Sequence, residues 1–588
     1  MPLLLSIAVI VGIGIGSFLT NHFSGNRLNI IGSGSNRLNN LLHIIDDQYV
    51  DPVNIDSLVD MAIPQILQDL DPHSVYIPAK DMQIANDDLK GSFSGVGIEF
   101  TIRQDTIHVQ NVIKNGPAER AGILAGDKIV EVDGKPFVGK QVTNEEAMHK
   151  LKGPEDTKVK IGVVRYGQKG IKRYVVTRGD IPQKSISAVY MLDDKTGYIR
   201  IKNFGQNTYS EMLVALATLS QENFSNLVID LRDNTGGYLN SAVQIANEFL
   251  PKNKLIVYTQ GRKSPRKDYT SDGLGAYQKI PLVVLINEGS ASSAEIFTGA
   301  MQDNDRATVI GRRSFGKGLV QQQIEFPDGS MVRLTIARYY TPSGRCIQKP
   351  YVPGDEEDYD MDILSRYNHG EFFSQDSIKH TGPAYHTGIG RVVYGGGGIT
   401  PDIFVPEDTT DVTSYYKLAA TNGLILQYAF EYTDINRQAL KQFTDMNALK
   451  DYLQKQNLVE KFVTYADNHG LKRRNLLIQK SHRLLERYIT SRIIYNMLDE
   501  QAWTEYINLD DPVITKTLQV FSENAAFPKL PATMPKGKGP VAAVGRMSNH
   551  LAPINFSAWL PQRQVRFDLN KDIILPPKRK IRGKTFTA

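Results

Sequence analysis

Apolar and polar positions divide the chain of 588 residues into stretches of different period. Residues 3–19 are apolar apart from Ser6 and Ser17 and carry no charge, a run near the lower limit for spanning a bilayer. The Gly, Ser and Asn of residues 24–35 then read as a linker. From 37 to 90 apolar residues recur at helical spacing: Leu41, Leu42, Ile44 and Ile45, then Leu58 and Met61, then Ile66, Leu67 and Leu70. Pro64 interrupts this run, which predicts a kink or a new helix starting there. Over 91–178 the period shortens to that of a compact, mostly-β unit, with one helix at 144–151. After Pro182 strands (196–204, 226–232, 255–259, 282–286, 308–310) alternate with helices (208–219, 239–250, and one from Glu295). That alternation predicts an α/β layer with parallel pairs. Residues 318–326 and 330–340 read as a hairpin around Pro327-Asp-Gly-Ser330. Residues 349–394, with the acidic cluster Asp355-Glu-Glu-Asp358, predict a mobile loop. Helical spacing returns over 415–524, and the Pro-rich, basic stretch from 528 reads as disordered.

A chain of this length holds more than one domain. Its net charge of +5 is too mild to imply a nucleic-acid partner, and much of the excess sits in the tail. Cys346 is the only cysteine, which excludes an internal disulfide and a cysteine-based zinc site; no metal or cofactor is expected.

The densest candidate chemistry lies at 281–321. The run Leu282 to Ile286 has the length and β-branching of a fully buried strand, and Ser290, Ser292 and Ser293 occupy the turn between it and the following helix. Such a junction exposes a side chain at a strand's C-terminal end, beside helix N–H groups that can face a developing negative charge. A nucleophile belongs there, and spacing alone does not choose among the three serines. None of the eleven histidines lies between Ser290 and Gln321, whereas Lys317 does, flanked by Gly316 and Gly318. A lysine acts as a base only when neutral, which burial favours; Phe315, Leu319 and Val320 are placed to supply it.

The pair of segments resembles the active site of the tail-specific proteases, also called carboxy-terminal processing peptidases, which use a Ser/Lys dyad. The family's serine block, approximately Ser-Ala-Ser-Ala-Ser-Glu, puts the nucleophile three residues before the Glu and so at Ser292. Its Phe-Gly-Lys-Gly block matches Lys317, and a Gln four residues later matches Gln321, which the resemblance gives the role of orienting the lysine amine. Here Ser293-Ala294 replaces Ala-Ser, a swap the oxyanion hole tolerates because it needs only a backbone N–H. The resemblance makes the Ser293 N–H one oxyanion donor and that of Gly236 or Gly237 the other. Glu295 reads as a helix-start residue. Leu70-Asp-Pro-His-Ser74 also resembles the family, and structurally it reads as a helix-ending turn.

The unit at 91–180 resembles a PDZ domain, through Asn115-Gly-Pro-Ala, Ala121-Gly and Gly126-Asp127. Domains of this kind add a peptide as an extra strand, and Gly95-Val96-Gly97-Ile98 stands where backbone N–H groups receive the peptide's terminal carboxylate. The expected fold class is therefore α/β multidomain: a mixed α/β protease core at 181–348 and 395–410, an inserted PDZ domain, and helical regions at 37–90 and 411–526. A membrane anchor or signal segment (1–23), a linker (24–36), the insertion (349–394) and a basic tail (527–588) complete it.

The function expected is a serine endopeptidase that processes or degrades exported proteins from near their C-termini. Its partners are protein substrates with free, apolar C-termini and, through residues 3–19, the membrane. The resemblance leaves room for a homodimer through the helical region and for an activating or adaptor protein, and does not decide whether the PDZ domain delivers substrate or gates the site. The Met-Pro-Leu start lacks the basic residues of a signal peptide, which favours an inner-membrane anchor with the rest on the periplasmic or envelope side; a cleaved signal peptide is the alternative. The rival reading is an inactive PDZ-bearing envelope scaffold. A Ser/His/Asp hydrolase using His73, His369 or His386 is a second enzyme reading.

Overall fold

The computed structural model describes residues 34–82, 91–103, 105–140, 142–165, 167–380 and 382–529. The expected anchor at 3–19 and the tail from 530 lie outside the described residues. Among the described residues no helix is long and apolar enough to cross a membrane.

The chain forms two compact units, the smaller made of residues up to 82 with 322–334 and 351–359. In it the helices Gly34–Gln48 and Ile55–Gln68 follow the expected spacing, but one helix runs through Pro64 and no new helix starts there. Asp71 closes the next turn, its carboxylate accepting from the N–H groups of His73 and Ser74 and from the Ser74 hydroxyl. The short strand Val75–Ile77 then pairs antiparallel with residues 331–333.

The larger unit is built on a six-stranded sheet ordered Ile186–Met191, Thr196–Ile201, Asn226–Asp230, Leu282–Ile286, Thr308–Gly311, Ile403–Phe404. The first pair is antiparallel and every other pair is parallel. Alternation along Leu282–Ile286 explains why all five residues are apolar. Leu282, Val284 and Ile286 enter one core with the helices Thr208–Gln221, Leu239–Asn247 and Ser293–Asp303. Val283 and Leu285 enter another, covered by Val513, Ile514, Val520 and Phe521 of the helix Pro512–Ser522. Leu255–Gln260 does not join this layer as expected; it pairs antiparallel with residues 338–340 and with Lys267–Thr270 in a separate sheet.

Residues 92–182 form the expected β-rich domain, whose first and last strands pair with each other, Ser92 opposite Pro182 and Gly95 opposite Gly179. Both ends of the insertion are thereby fixed at one place. The helical region packs a core of its own around Ile425, Ala429, Leu449, Phe462, Leu485 and Ile489. It also touches both neighbours. Leu426 and Phe430 close over Ala125, and the Tyr495 hydroxyl donates to Glu99 of the β-rich domain. Lys202 of the core pairs with Glu500. Residues 349–394, expected as a mobile loop, instead hold the helix Glu356–Asn368 and the paired strands Ala384–His386 and Val392–Tyr394.

At the end of the strand Asn226–Asp230, the carboxylate of Asp230 is fully buried and held by Arg232, whose other arm reaches Asp511 at 2.6 Å. Burial alone pushes the Asp230 carboxyl up, and the Arg232 guanidinium outweighs it, so the net shift is downward. Removing one partner of a buried pair strands the other charge. Arg232→Ala is expected to destabilise the larger unit by about 3–5 kcal/mol, read by denaturant unfolding; a shift within about 0.5 kcal/mol, the size of an ordinary surface substitution, would mean the pair is solvated.

Candidate active site

Because Asn226–Asp230 and Leu282–Ile286 are parallel neighbours, the turns that follow them meet at one edge of the sheet. Ala291 N–H donates to the Asn234 carbonyl, Asp233 N–H to Asn287 Oδ1, and Asn287 Nδ2 to Asp233 Oδ1. The second turn brings Ser290, Ser292 and Ser293 to this edge with distinct surroundings. Ser290 is buried and its hydroxyl donates to the Leu231 carbonyl at 2.7 Å. Ser293 donates to the Gly237 carbonyl at 2.8 Å. Ser292 alone of the three is partly open to solvent.

Ser292 has φ 54° and ψ −115°, a conformation that costs a non-glycine residue of order 1–3 kcal/mol and persists only where its surroundings enforce it. Two side chains supply that enforcement, and both also hold the segment carrying Lys317. The first is Glu295, in the opening turn of the helix Ser293–Asp303 and completely buried. Its Oε2 accepts from the N–H groups of Ser292 and Lys317, both at 2.9 Å. Its Oε1 accepts from the Gly316 N–H at 2.7 Å and the Ser314 hydroxyl at 2.5 Å. The second is Tyr339, whose hydroxyl lies 2.5 Å from the Lys317 carbonyl oxygen and 3.1 Å from that of Ser292, its one proton shared between them. The sequence marks Glu295 only as a helix-start residue and gives no sign of Tyr339.

The two glycines of the first turn differ in a way their spacing hides. Gly236 N–H donates to Asn234 Oδ1 at 2.8 Å, so it is committed within the turn. Neither the Gly237 N–H nor the Ser293 N–H has a hydrogen-bond partner among the described residues. A Cβ on Gly236 would lie 2.6 Å from Ser292 Cβ and 3.0 Å from Ser293 N, filling the space beside the serine. The Asn-x-Gly pattern was the available signal, since an asparagine side chain commonly bonds the backbone two residues on.

Lys317 is half-buried in a loop whose N–H groups at 316 and 317 are both bound by Glu295. Gln321 makes its hydrogen bond to Thr335 Oγ1 at 3.3 Å, across the hairpin, rather than the expected one to the lysine amine. His369 and His386 are exposed, with the His369 ring against the Ser365 carbonyl, and His73 belongs to the smaller unit. In the β-rich domain, the Gly97 carbonyl accepts from Ile113 and the Val96 carbonyl from Ala118. Among the described residues the next strand, Ile98–Arg103, pairs on one side only, with Thr106–Val112. Ile98, Phe100 and Ile102 pack on the same apolar cluster as Ala147 and Leu151 of the helix Asn144–Leu151. An unpaired strand edge beside an apolar helix face is the geometry that accepts an added peptide strand.

Comparison with known proteins matches residues 195–358 to Peptidase family S41, 108–165 to a PDZ domain, and 415–499 to a family of unknown function. The chain is 38% identical over 317 residues to the carboxy-terminal-processing protease of Bartonella bacilliformis, covering 53% of this chain and 72% of that one. It is 36% identical over 330 residues to a probable CtpA-like serine protease of Staphylococcus aureus, covering 55% of this chain and 65% of that one. A solved photosystem II D1 C-terminal processing protease matches with 30% identity and a TM-score of 0.33, over 53% of this chain and 84% of the other. With a serine at a strained strand-to-helix turn, a lysine loop bound to the same carboxylate, and a PDZ domain inserted ahead of them, the chain belongs to the carboxy-terminal-processing serine peptidases.

Proposed function

We propose that the protein is an endopeptidase that cuts exported proteins near their C-termini, with Ser292 as nucleophile and Lys317 as general base. The observation that carries this reading is the shared hold of Glu295 on the Ser292 turn and the Lys317 loop. Neutral Lys317 takes the proton of the Ser292 hydroxyl as Oγ attacks the scissile carbonyl carbon. The oxyanion that forms accepts from the N–H groups of Ser293 and Gly237, each such donor being worth roughly 2.7–4 kcal/mol. The Lys317 ammonium returns its proton to the leaving amine as the C–N bond breaks. A water, deprotonated in turn by Lys317, then hydrolyses the acyl ester and frees Ser292. Gln321, four residues along the chain from the lysine it would orient, bonds to Thr335 across the hairpin.

In the same reading, the PDZ domain takes the substrate's apolar C-terminus along the open edge of Ile98–Arg103, with its carboxylate at Gly95-Val96-Gly97-Ile98. Export rests on the uncharged apolar run at residues 3–19, as an anchor or as a cleaved signal. Cleavage of an unfolded reporter protein with an apolar C-terminus is expected to be lost in both Ser292→Ala and Lys317→Ala, and in the wild type to rise with pH as the lysine sheds its proton. A Lys317→Ala variant that still cleaves would end the dyad reading.

Glu295 adds a second pH dependence. Burial raises its carboxyl to about 7, against the pull of its hydrogen-bond donors. The unfolded chain titrates this group near ~4.3, so the folded state holds the proton longer. Its contribution therefore favours folding at pH below the unfolded value and is lost as pH rises towards 7. Its capacity to accept from the four donors grows over the same range. Activity is thus expected to rise and stability to fall as pH increases across this window. Glu295→Gln, which puts an amide NH2 against N–H donors, is expected to lower kcat about 10²-fold. The stability difference between wild type and Glu295→Gln, followed by thermal unfolding from pH 4 to 8, should shrink with rising pH; a constant difference would show that the carboxyl does not titrate there.

A further inference from the structure

The loop presenting Lys317 is held from two sides. Its N–H groups are taken by the core: Phe315 donates to the Ser290 carbonyl, Gly316 and Lys317 to Glu295, and Gly318 to Gln348 Oε1. The carbonyls at its start are taken by a side chain that the sequence places in an expected loop. Arg366, buried on the helix Glu356–Asn368, donates from Nη2 to the Arg313 carbonyl at 2.8 Å and from Nη1 to the Ser314 carbonyl at 3.0 Å. Its Nε donates to Glu371 Oε1 at 2.9 Å, and Glu371, also buried, binds Arg313 through both oxygens. Phe315 packs against Ile363, Tyr367 and Phe372, and the Lys349 ammonium lies 4.3 Å from the centre of its ring. Lys349 in turn pairs with Asp362 and donates its N–H to the Gly316 carbonyl. The match to the peptidase family ends at residue 358, after Lys349 and before Asp362, Ile363, Arg366, Tyr367, Glu371 and Phe372.

We propose that Arg366 is a positioning residue for the peptidase reaction, its guanidinium fixing the backbone at 313 and 314 and so the place from which Lys317 reaches Ser292. The inference rests on the proposed Ser292–Lys317 dyad. A planar fork with several donors bridges two successive carbonyls while a third N–H holds a carboxylate; a lysine ammonium does not reproduce that geometry. Without the fork, two buried carbonyls lose their partners and the loop gains freedom three to four residues before the base.

The test compares wild type, Arg366→Met, Arg366→Lys and Lys317→Ala, using kcat and KM on the reporter together with amide hydrogen exchange. Arg366→Met is expected to lower kcat about 10²-fold while KM changes less than about threefold. It should speed exchange at Gly316 and Lys317 and leave the strand Leu282–Ile286 protected. Arg366→Lys should resemble Arg366→Met, because charge without the fork does not hold both carbonyls. Rescue by Arg366→Lys, a loss confined to KM, or unchanged exchange at 316 and 317 would overturn the proposal. If Arg366→Met does not fold, Glu371→Ala, which removes the acceptor of the Arg366 Nε, is read by the same exchange experiment with the same two outcomes. Lys317→Ala that keeps its rate would remove the dyad and not the tether, since exchange reports on the loop without catalysis.

Discussion

The Glu295 carboxylate is the constraint on which the site depends. Four donors converge on two oxygens in a place closed to water, and they come from two segments that otherwise have no reason to share a geometry. Hydrogen bonds to a charged group are worth about 1.5–3 kcal/mol each in favourable cases. That is enough to offset the backbone strain of Ser292, which is of order 1–3 kcal/mol. Ser292 has a left-handed φ at the last residue before the helix and stands in a capping box with Glu295, whereas the hydroxyls of Ser290 and Ser293 are spent on backbone carbonyls.

How much of this was legible in the sequence follows from the range over which each interaction acts. The strand Leu282–Ile286 is read correctly to the residue, because burial on both faces demands an unbroken apolar run. The helix Asn144–Leu151 is equally clear, with Thr143 capping it and acids in its first turn. The assignment of Leu255–Gln260 to the parallel layer fails for a different reason. The apolar run Leu255-Ile-Val-Tyr258 states that a strand is buried and says nothing of which sheet it joins; one partner, Lys267–Thr270, lies close by in sequence, but the other, at residues 338–340, lies about 80 positions along the chain.

The insertion at 349–394 shows the limit most sharply. Its acidic cluster reads as a solvated loop, yet Glu356, Glu357 and Asp358 stand in the first turn of a helix, where negative charge is favourable. Beside the apolar cluster of Ile363, Tyr367 and Phe372, charged residues anchor it. Arg366 and Glu371 carry no apolar period, and the groups that make their burial tolerable lie more than fifty residues earlier. A pattern of hydrophobic spacing has no way to register a core built from charges. The choice between Gly236 and Gly237 was within reach by contrast, because Asn234 and Gly236 form a local turn whose bond can be inferred from type and spacing.

Buried charge recurs around the sheet's active edge: Arg232 with Asp230, Arg312 with Glu288, and Arg313 and Arg366 with Glu371. Apolar replacements of equal volume would serve stability as well or better, since desolvation consumes much of what an ion pair returns. What they would not supply is direction. An apolar contact tolerates sliding and rotation, whereas a guanidinium held by a carboxylate fixes both distance and plane. In a site whose serine turn and lysine loop arrive on separate segments, directional contacts of this kind hold the backbone of each, and the large apolar cores behind the sheet carry the stability that makes those contacts sustainable.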